Sequence, residues 1–301
     1  MAKLLRVLAV LFATAAPLTA GAAQPQPSAS PPRQVGADLR IEPRRAILDA
    51  ERSMAEFTVT APLAGGEFDV GLIDRVMATD GALVPREDAL RAPDLKALAE
   101  AQRSARPFLT VDAERVTLRP GEARTVTVRL RRPAPPPGEY RTHLTITARD
   151  PTPPPAGTAG PATMLWAQSA PVFVRIGPVD IRAAIEDARL ERLRADDPSG
   201  APAVAFDLVR RGRNSLYGDV TVSAGGRAIA VLKGVGVYPE IGRRRIVIRL
   251  PGLPTAPGAL EVAFTDRDTR PGEVLATVRV TEGDRALAEV QAQAALGFRG
   301  P

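Results

Sequence analysis

Arg124-Thr-Val-Thr-Val-Arg-Leu130 alternates without a break: Val126, Val128 and Leu130 fall on one side, Thr125, Thr127 and Arg129 on the other. A period of two is that of a β-strand with one face in a core and the other in water. The same pattern recurs upstream and downstream, in Met54–Thr60, Glu67–Ile73 and Tyr140–Thr147. It resumes after Gly177 in Val204–Val209, Asp219–Ser223, Ala228–Leu232, Arg245–Leu250, Leu260–Thr265 and Val274–Val280. Turn residues punctuate the runs: Ala64-Gly-Gly66, Asp80-Gly81, Arg119-Pro-Gly121 and Pro135-Pro-Pro-Gly138. Short strands spaced this way predict an all-β chain of sandwich type. Asp94–Ala105 departs from the pattern, with Leu95, Leu98 and Gln102 at helical spacing, and reads as a short surface helix inserted between strands.

The chain has 301 residues, of which 45% are apolar, enough for a packed core and long enough for two domains. Ile176-Gly177-Pro178 is the natural hinge, dividing an N-terminal domain over 38–176 from a C-terminal one over 177–281. Pro151–Pro161 (PTPPPAGTAGP) is a rigid loop that can join neither helix nor ladder. The Ala-rich tail, 282–301, is at most a marginal helix. At the other end, Lys3 and Arg6 precede the apolar run Val7–Ala16 and the small residues Ala20-Gly21-Ala22-Ala23. That order predicts a Sec-type signal peptide over 1–23 and a periplasmic destination. The run falls well short of the ~20 apolar residues a membrane span needs, and no later stretch approaches that length. Prolyl, polar residues then make 24–37 a flexible leader.

Composition excludes whole chemistries. With no Cys and one His (His143), thiolate and multi-His metal sites, cysteine nucleophiles and disulfides are impossible. His143 sits in mid-strand with no visible partner and reads as a packed or surface residue. The carboxylate pairs Asp196-Asp197 and Asp266/Asp268 lie in turn-rich contexts where Asp closes Asx-turns. No phosphate-loop, nucleophile-elbow or zinc-helix motif occurs, so no enzyme, cofactor or metal is expected. The net charge of +6 is carried almost wholly by arginine, since Lys3, Lys96 and Lys233 are the only lysines. Clusters such as Arg129/Arg131/Arg132 and Arg243-Arg244-Arg245 alternate with apolar residues and lack aromatic company. They read as outward-facing strand arginines rather than a nucleic-acid surface.

The stretch with most bearing on function is Met164-Leu-Trp-Ala-Gln-Ser-Ala-Pro-Val-Phe-Val-Arg175. Met164 and Trp166 share a side with Val172 and Val174, so the strand is either core throughout or an edge whose apolar row serves a partner by strand addition. Several stretches in chain order resemble the periplasmic usher-pathway pilus chaperones, which have two immunoglobulin-like domains. Leu39–Leu48 is similar to that family's first strand, where an Arg (Arg45) precedes one small and two aliphatic residues. Val116–Arg129 contains its L-x-P-G turn and the following strand. Gly138–Leu144, Val172–Arg175, Asn214–Gly218 and Gly234–Pro239 resemble further strands and turns.

The resemblance implies two immunoglobulin-like β-sandwich domains and a chaperone of pilus or fimbria-like assembly. Its partners would be pilin-like subunits and possibly an outer-membrane usher. In that family an Arg and a Lys in the interdomain groove anchor the subunit's C-terminal carboxylate. The last strand of the first domain then donates alternating apolar side chains. By resemblance Arg45 is the anchor, Ala162, Met164 and Trp166 are the donors, and Arg175 is an interdomain structural residue. Pro171 stands where the family has its Lys. The alternative is an exported structural or adhesive interaction protein, with paired sandwiches and no chaperone activity.

Overall fold

The computed structural model describes residues 33–35, 38–149, 163–192, 201–252 and 260–280. The expected signal segment, the proline loop, Ala162, Asp196-Asp197 and the tail lie outside the described residues. The first sandwich is built from β1 (Arg33–Val35), β2 (Arg40–Glu42), β3 (Ala46–Leu48), β4 (Met54–Thr60), β5 (Gly66–Ile73), β6 (Arg75–Met77), β7 (Leu83–Pro85), α1 (Arg86–Arg91), α2 (Lys96–Ala101), β8 (Leu109–Val111), β9 (Arg115–Leu118), β10 (Ala123–Leu130), β11 (Gly138–Ala148), β12 (Thr163–Leu165) and β13 (Ala167–Ile176). One sheet runs β2-β4-β10-β8 and the facing sheet β3-β13-β11-β5-β9. Phe57 of β4 lies opposite Val126 of β10, and both are fully buried. With Phe68, Leu144, Ile146, Val172 and Val174 they form the core between the sheets. The alternation of β10 places Val126 and Val128 inside as expected. Thr127, on the other face, is buried too, because Asp112 exchanges hydrogen bonds with its backbone (Thr127 N to Asp112 Oδ1 3.0 Å; Asp112 N to Thr127 O 3.1 Å).

The second sandwich has β14 (Ala183–Arg192), β15 (Pro202–Arg210), β16 (Leu216–Ala224), β17 (Arg227–Val237), β18 (Arg243–Arg249), β19 (Leu260–Asp266) and β20 (Val274–Val280). Its sheets run β14-β15-β18 and β17-β16-β19-β20, closing on Phe206, Leu208, Leu216, Val220, Val222 and Phe264. The chain is therefore all-β in two immunoglobulin-like sandwiches. The edge strand β17 carries a bulge at Gly234, whose φ of 71° suits glycine and whose N–H reaches Asp219 Oδ1 at 3.1 Å.

Two expectations need correction. The insertion is not a surface helix over 94–105. It is a β6–β7 hairpin followed by two six-residue helices, and it is wedged between the sandwiches. Ala99 and Ala105 are fully buried, while Met77 enters the core of the second sandwich with Leu98 packed against it. The cause lies in β11. Its pairing with β5 begins only at His143, so the preceding backbone needs another partner. The insertion supplies it: Arg141 N–H donates to Arg103 O at 2.9 Å and Arg141 O accepts from Ala105 N at 3.2 Å. The second correction concerns the leader, which is not uniformly flexible. Arg33–Val35 forms β1 and pairs in parallel with β12.

Candidate functional site

The last strand of the first sandwich has an unusual edge. β11 pairs with β13 from Ile176 to Ala167, and Ala148 N–H donates to Trp166 O at 2.9 Å. Two short strands run parallel to the same path: β3 beside Val172–Val174 and β1 beside Thr163–Leu165. Between them, residues 167–171 pair with β11 alone among the described residues. With Trp166 this stretch spans about 20 Å at ~3.3 Å per residue, and the side of its backbone turned away from β11 meets no other strand among the described residues. Inward-facing Ala170, Val172 and Val174 are core residues. Beyond them the strand overhangs the sandwich, leaving Leu165 46% and Trp166 37% exposed. Of the expected donors, Trp166 is thus at the surface and Met164 lies in β12.

Arg45 immediately precedes β3, and the pairing of Ala46 with Val172 sets it beside Pro171 at the foot of this edge. Pro43 cannot donate to a ladder, so the first strand breaks there and crosses from one sheet to the other, which turns Arg45 inward. Its guanidinium lies over Phe173 (3.9 Å to the ring centroid) and Tyr217 (4.5 Å). Nη2 is 2.6 Å from Asp268 Oδ2, and both side chains are only 9% exposed. Arg45 Nε and Nη1 are buried with no hydrogen-bond partner.

Arg175 shares that carboxylate, with Nη2 3.0 Å from Asp268 Oδ2. Its Nε donates to Glu139 Oε2 at 2.6 Å, and Nη1 and Nη2 reach Thr269 and Ser215. Glu139 also accepts from Ser215 N and Asn214 Nδ2. Two arginines and two carboxylates, drawn from both sandwiches, thus neutralise one another at the junction. An incoming carboxylate meets Arg45 only by using its unpaired N–H groups or by exchanging with Asp268.

The composition-based reading left Asp268 and Glu139 unidentified. It grouped Asp268 with Asp266 as turn formers. Only Asp266 has that duty, accepting from the backbone N–H groups of Asp268, Thr269 and Arg270. The turn it shapes is what presents Asp268 to the arginines. Glu139 stands opposite Arg175 on the neighbouring strand, a pairing that shows only once β11 and β13 are in register.

A second buried ion pair joins the sandwiches nearby. Arg141 pairs with Glu240, each side chain 2% exposed, and stacks on Tyr238 at 4.2 Å. Glu240 Oε1 also accepts from Met77 N at 2.9 Å, and Arg141 Nη2 donates to Arg75 O at 2.7 Å, so the insertion is tied into the pair. His143 is fully buried beside it, its Nε2 3.5 Å from Arg141 Nη1. Burial, with the charges of Arg141 and Arg75, pushes its imidazole well below the usual value of about 6.5. Enclosed beside two arginines, the ring is held in its neutral form near pH 7. Among the described residues, no group of His, Asp and Glu could hold a metal ion, and no helix is long and apolar enough to cross a membrane. Arg243 and Arg245 form ion pairs with Asp207 and with Glu186 or Glu191, which leaves them neutralised on the sheet face.

No protein-family model matches the sequence, and no characterised protein matches it by sequence. Solved structures similar to this chain are chaperone–usher pilus chaperones. The CsuC–CsuE chaperone–tip adhesion subunit pre-assembly complex from Acinetobacter baumannii is 10% identical, with 81% of this chain and 99% of that chain covered and a TM-score of 0.41. The E. coli chaperone DraB is 14% identical, covering 83% and 100%, with a TM-score of 0.39. The Salmonella enterica SafA pilin–SafB chaperone complex gives 15% identity, 80% and 94% coverage and a TM-score of 0.38.

Proposed function

We propose that this protein is a periplasmic chaperone that binds strand-deficient, pilin-like subunits by adding its own edge strand to them. The observation that carries the reading is the edge of β13 over residues 167–171, which is open among the described residues and leads from the exposed Trp166 to the inward-turned Arg45. A partner strand running parallel to β13, as β1 and β3 do, would bring its C-terminus to Arg45. Backbone hydrogen bonds would supply affinity, and the row containing Trp166, Met164 and Ala162 would complete the partner's core. Arg45 would take the carboxylate by exchanging it for Asp268 or by uncovering its buried, unpaired Nε and Nη1. Pro171 offers no second cation, so Arg45 would act alone. No catalytic step is involved. An outer-membrane usher would be a further partner.

Trp166 is the only tryptophan in the chain and reports directly on the edge. A synthetic alternating Val/Thr peptide, added with a free or an amidated C-terminus, is expected to change Trp166 fluorescence. Binding should weaken on amidation and in Arg45→Ala. A peptide indifferent to both changes overturns the reading.

A second reading is supported by the junction itself. Arg45 and Arg175 on Asp268, and Arg141 on Glu240, hold the sandwiches together with the insertion between them, as suits a rigid structural or adhesive spacer. It predicts no peptide binding at all.

A further inference from the structure

We propose that the Arg33–Val35 strand is an intramolecular plug, occupying part of the lane that a partner strand enters and leaving it when the partner binds. The inference rests on the strand-addition reading above. β1 lies against β12 in parallel, with Arg33 opposite Thr163, Gln34 opposite Met164 and Val35 opposite Leu165. β11 holds the other side of the same path up to Trp166. Leu165 and Trp166 stay exposed beside the plug, so without it an overhanging apolar strand would offer its unpaired backbone to any passing edge.

The plug is built to be weak. Among the described residues it pairs over three positions in a two-stranded sheet, and in sequence it is flanked by Pro31-Pro32, which have no N–H to donate, and by Gly36. A partner strand that pairs with β12 and continues along residues 166–171 makes about three times as many pairings in the same parallel sense. It therefore displaces the leader by strand exchange. Short non-partner segments, which reach only the plugged end, gain nothing over β1, so the leader also selects for length.

The test uses the full chain and the free-carboxylate Val/Thr peptide. Gln34→Pro/Val35→Pro removes the N–H groups with which β1 can pair, while Gln34→Ala/Val35→Ala keeps them. If the lane is shut nine-tenths of the time, opening it tightens apparent binding on the order of tenfold. Trp166 fluorescence should show that gain in the proline variant and not in the alanine variant. Amide exchange at Thr163–Leu165 should accelerate in the proline variant alone. Equal peptide affinity in wild type and proline variant overturns the plug and leaves strand addition standing. Binding by neither protein overturns strand addition, and the plug falls with it.

Discussion

Arg45 and Asp268, 223 residues apart, meet at 2.6 Å across the junction of the two sandwiches, with both side chains nine-tenths enclosed. Asp268 occupies one of the Arg45 donors, Nη2, while Nε and Nη1 stay buried without a partner. Asp268 also holds Arg175 at 3.0 Å, so one carboxylate of the second sandwich pairs with two arginines of the first.

Replacing Asp268 with Ala leaves two buried arginines short of a partner, and should lower unfolding stability by about 3–5 kcal/mol. Arg45→Ala/Asp268→Ala should recover part of that loss. A urea double-mutant cycle is expected to give a coupling of about 1–3 kcal/mol, and additive losses would mean the 2.6 Å contact carries no energy.

The Arg141–Glu240 pair makes a contrasting case. Glu240→Ala strands Arg141 and deprives Met77 N–H of its acceptor, and should cost about 3–5 kcal/mol. Arg141→Met/Glu240→Leu, which removes both charges at similar volume, should return most of it. Urea midpoints of the two proteins decide the matter.

His143 makes stability depend on pH. Its folded-state pKa lies well below the unfolded value of about 6.5, so below that value the unfolded chain binds a proton the folded one refuses. This contribution is fully present above about pH 7 and is lost progressively as pH falls from 6.5 toward the lower folded-state value, with a slope of at most ~1.4 kcal/mol per pH unit. His143→Gln should flatten the difference in urea midpoint between pH 7.5 and 5.5. An unchanged slope would show that the ring is not the titrating group.

Phe173 belongs to a strand of the first sandwich but is buried in the core of the second, edge-on to Tyr238 at 5.5 Å. Phe173→Ala should cost about 3–5 kcal/mol. Because the lost contact joins the sandwiches, calorimetry should show one thermal transition becoming two.

Much of the architecture was legible in local patterning. Met54–Thr60 and Val274–Val280 are strands within the limits their alternation marks, and Tyr140–Thr147 is the centre of β11. Other elements left weaker traces. β14 does not alternate cleanly because a register shift between Glu186 and Arg189 breaks its period. The hairpin and helices of 75–101 are too short for periodicity to be read. The apolar alternation around Trp166 was readable from the residues themselves, whereas Arg45 was named only through the family resemblance. What fills the junction was not.

The sequence by itself determined that this chain makes two β-sandwiches, and which face of most strands is apolar. Those properties follow from a period of two along each strand, and side chains a few residues apart carry them. Only the tertiary structure decided that Asp268 sits on Arg45, that Glu240 sits on Arg141, and that the insertion closes the junction. A buried charge is tolerated only beside a partner of opposite sign. Here each partner comes from the other sandwich, 99 residues away for Arg141 and 223 for Arg45, where no local pattern can mark it. The edge of β13, open among the described residues, was decided in the same way, since an edge is defined by the strands that do not pair with it.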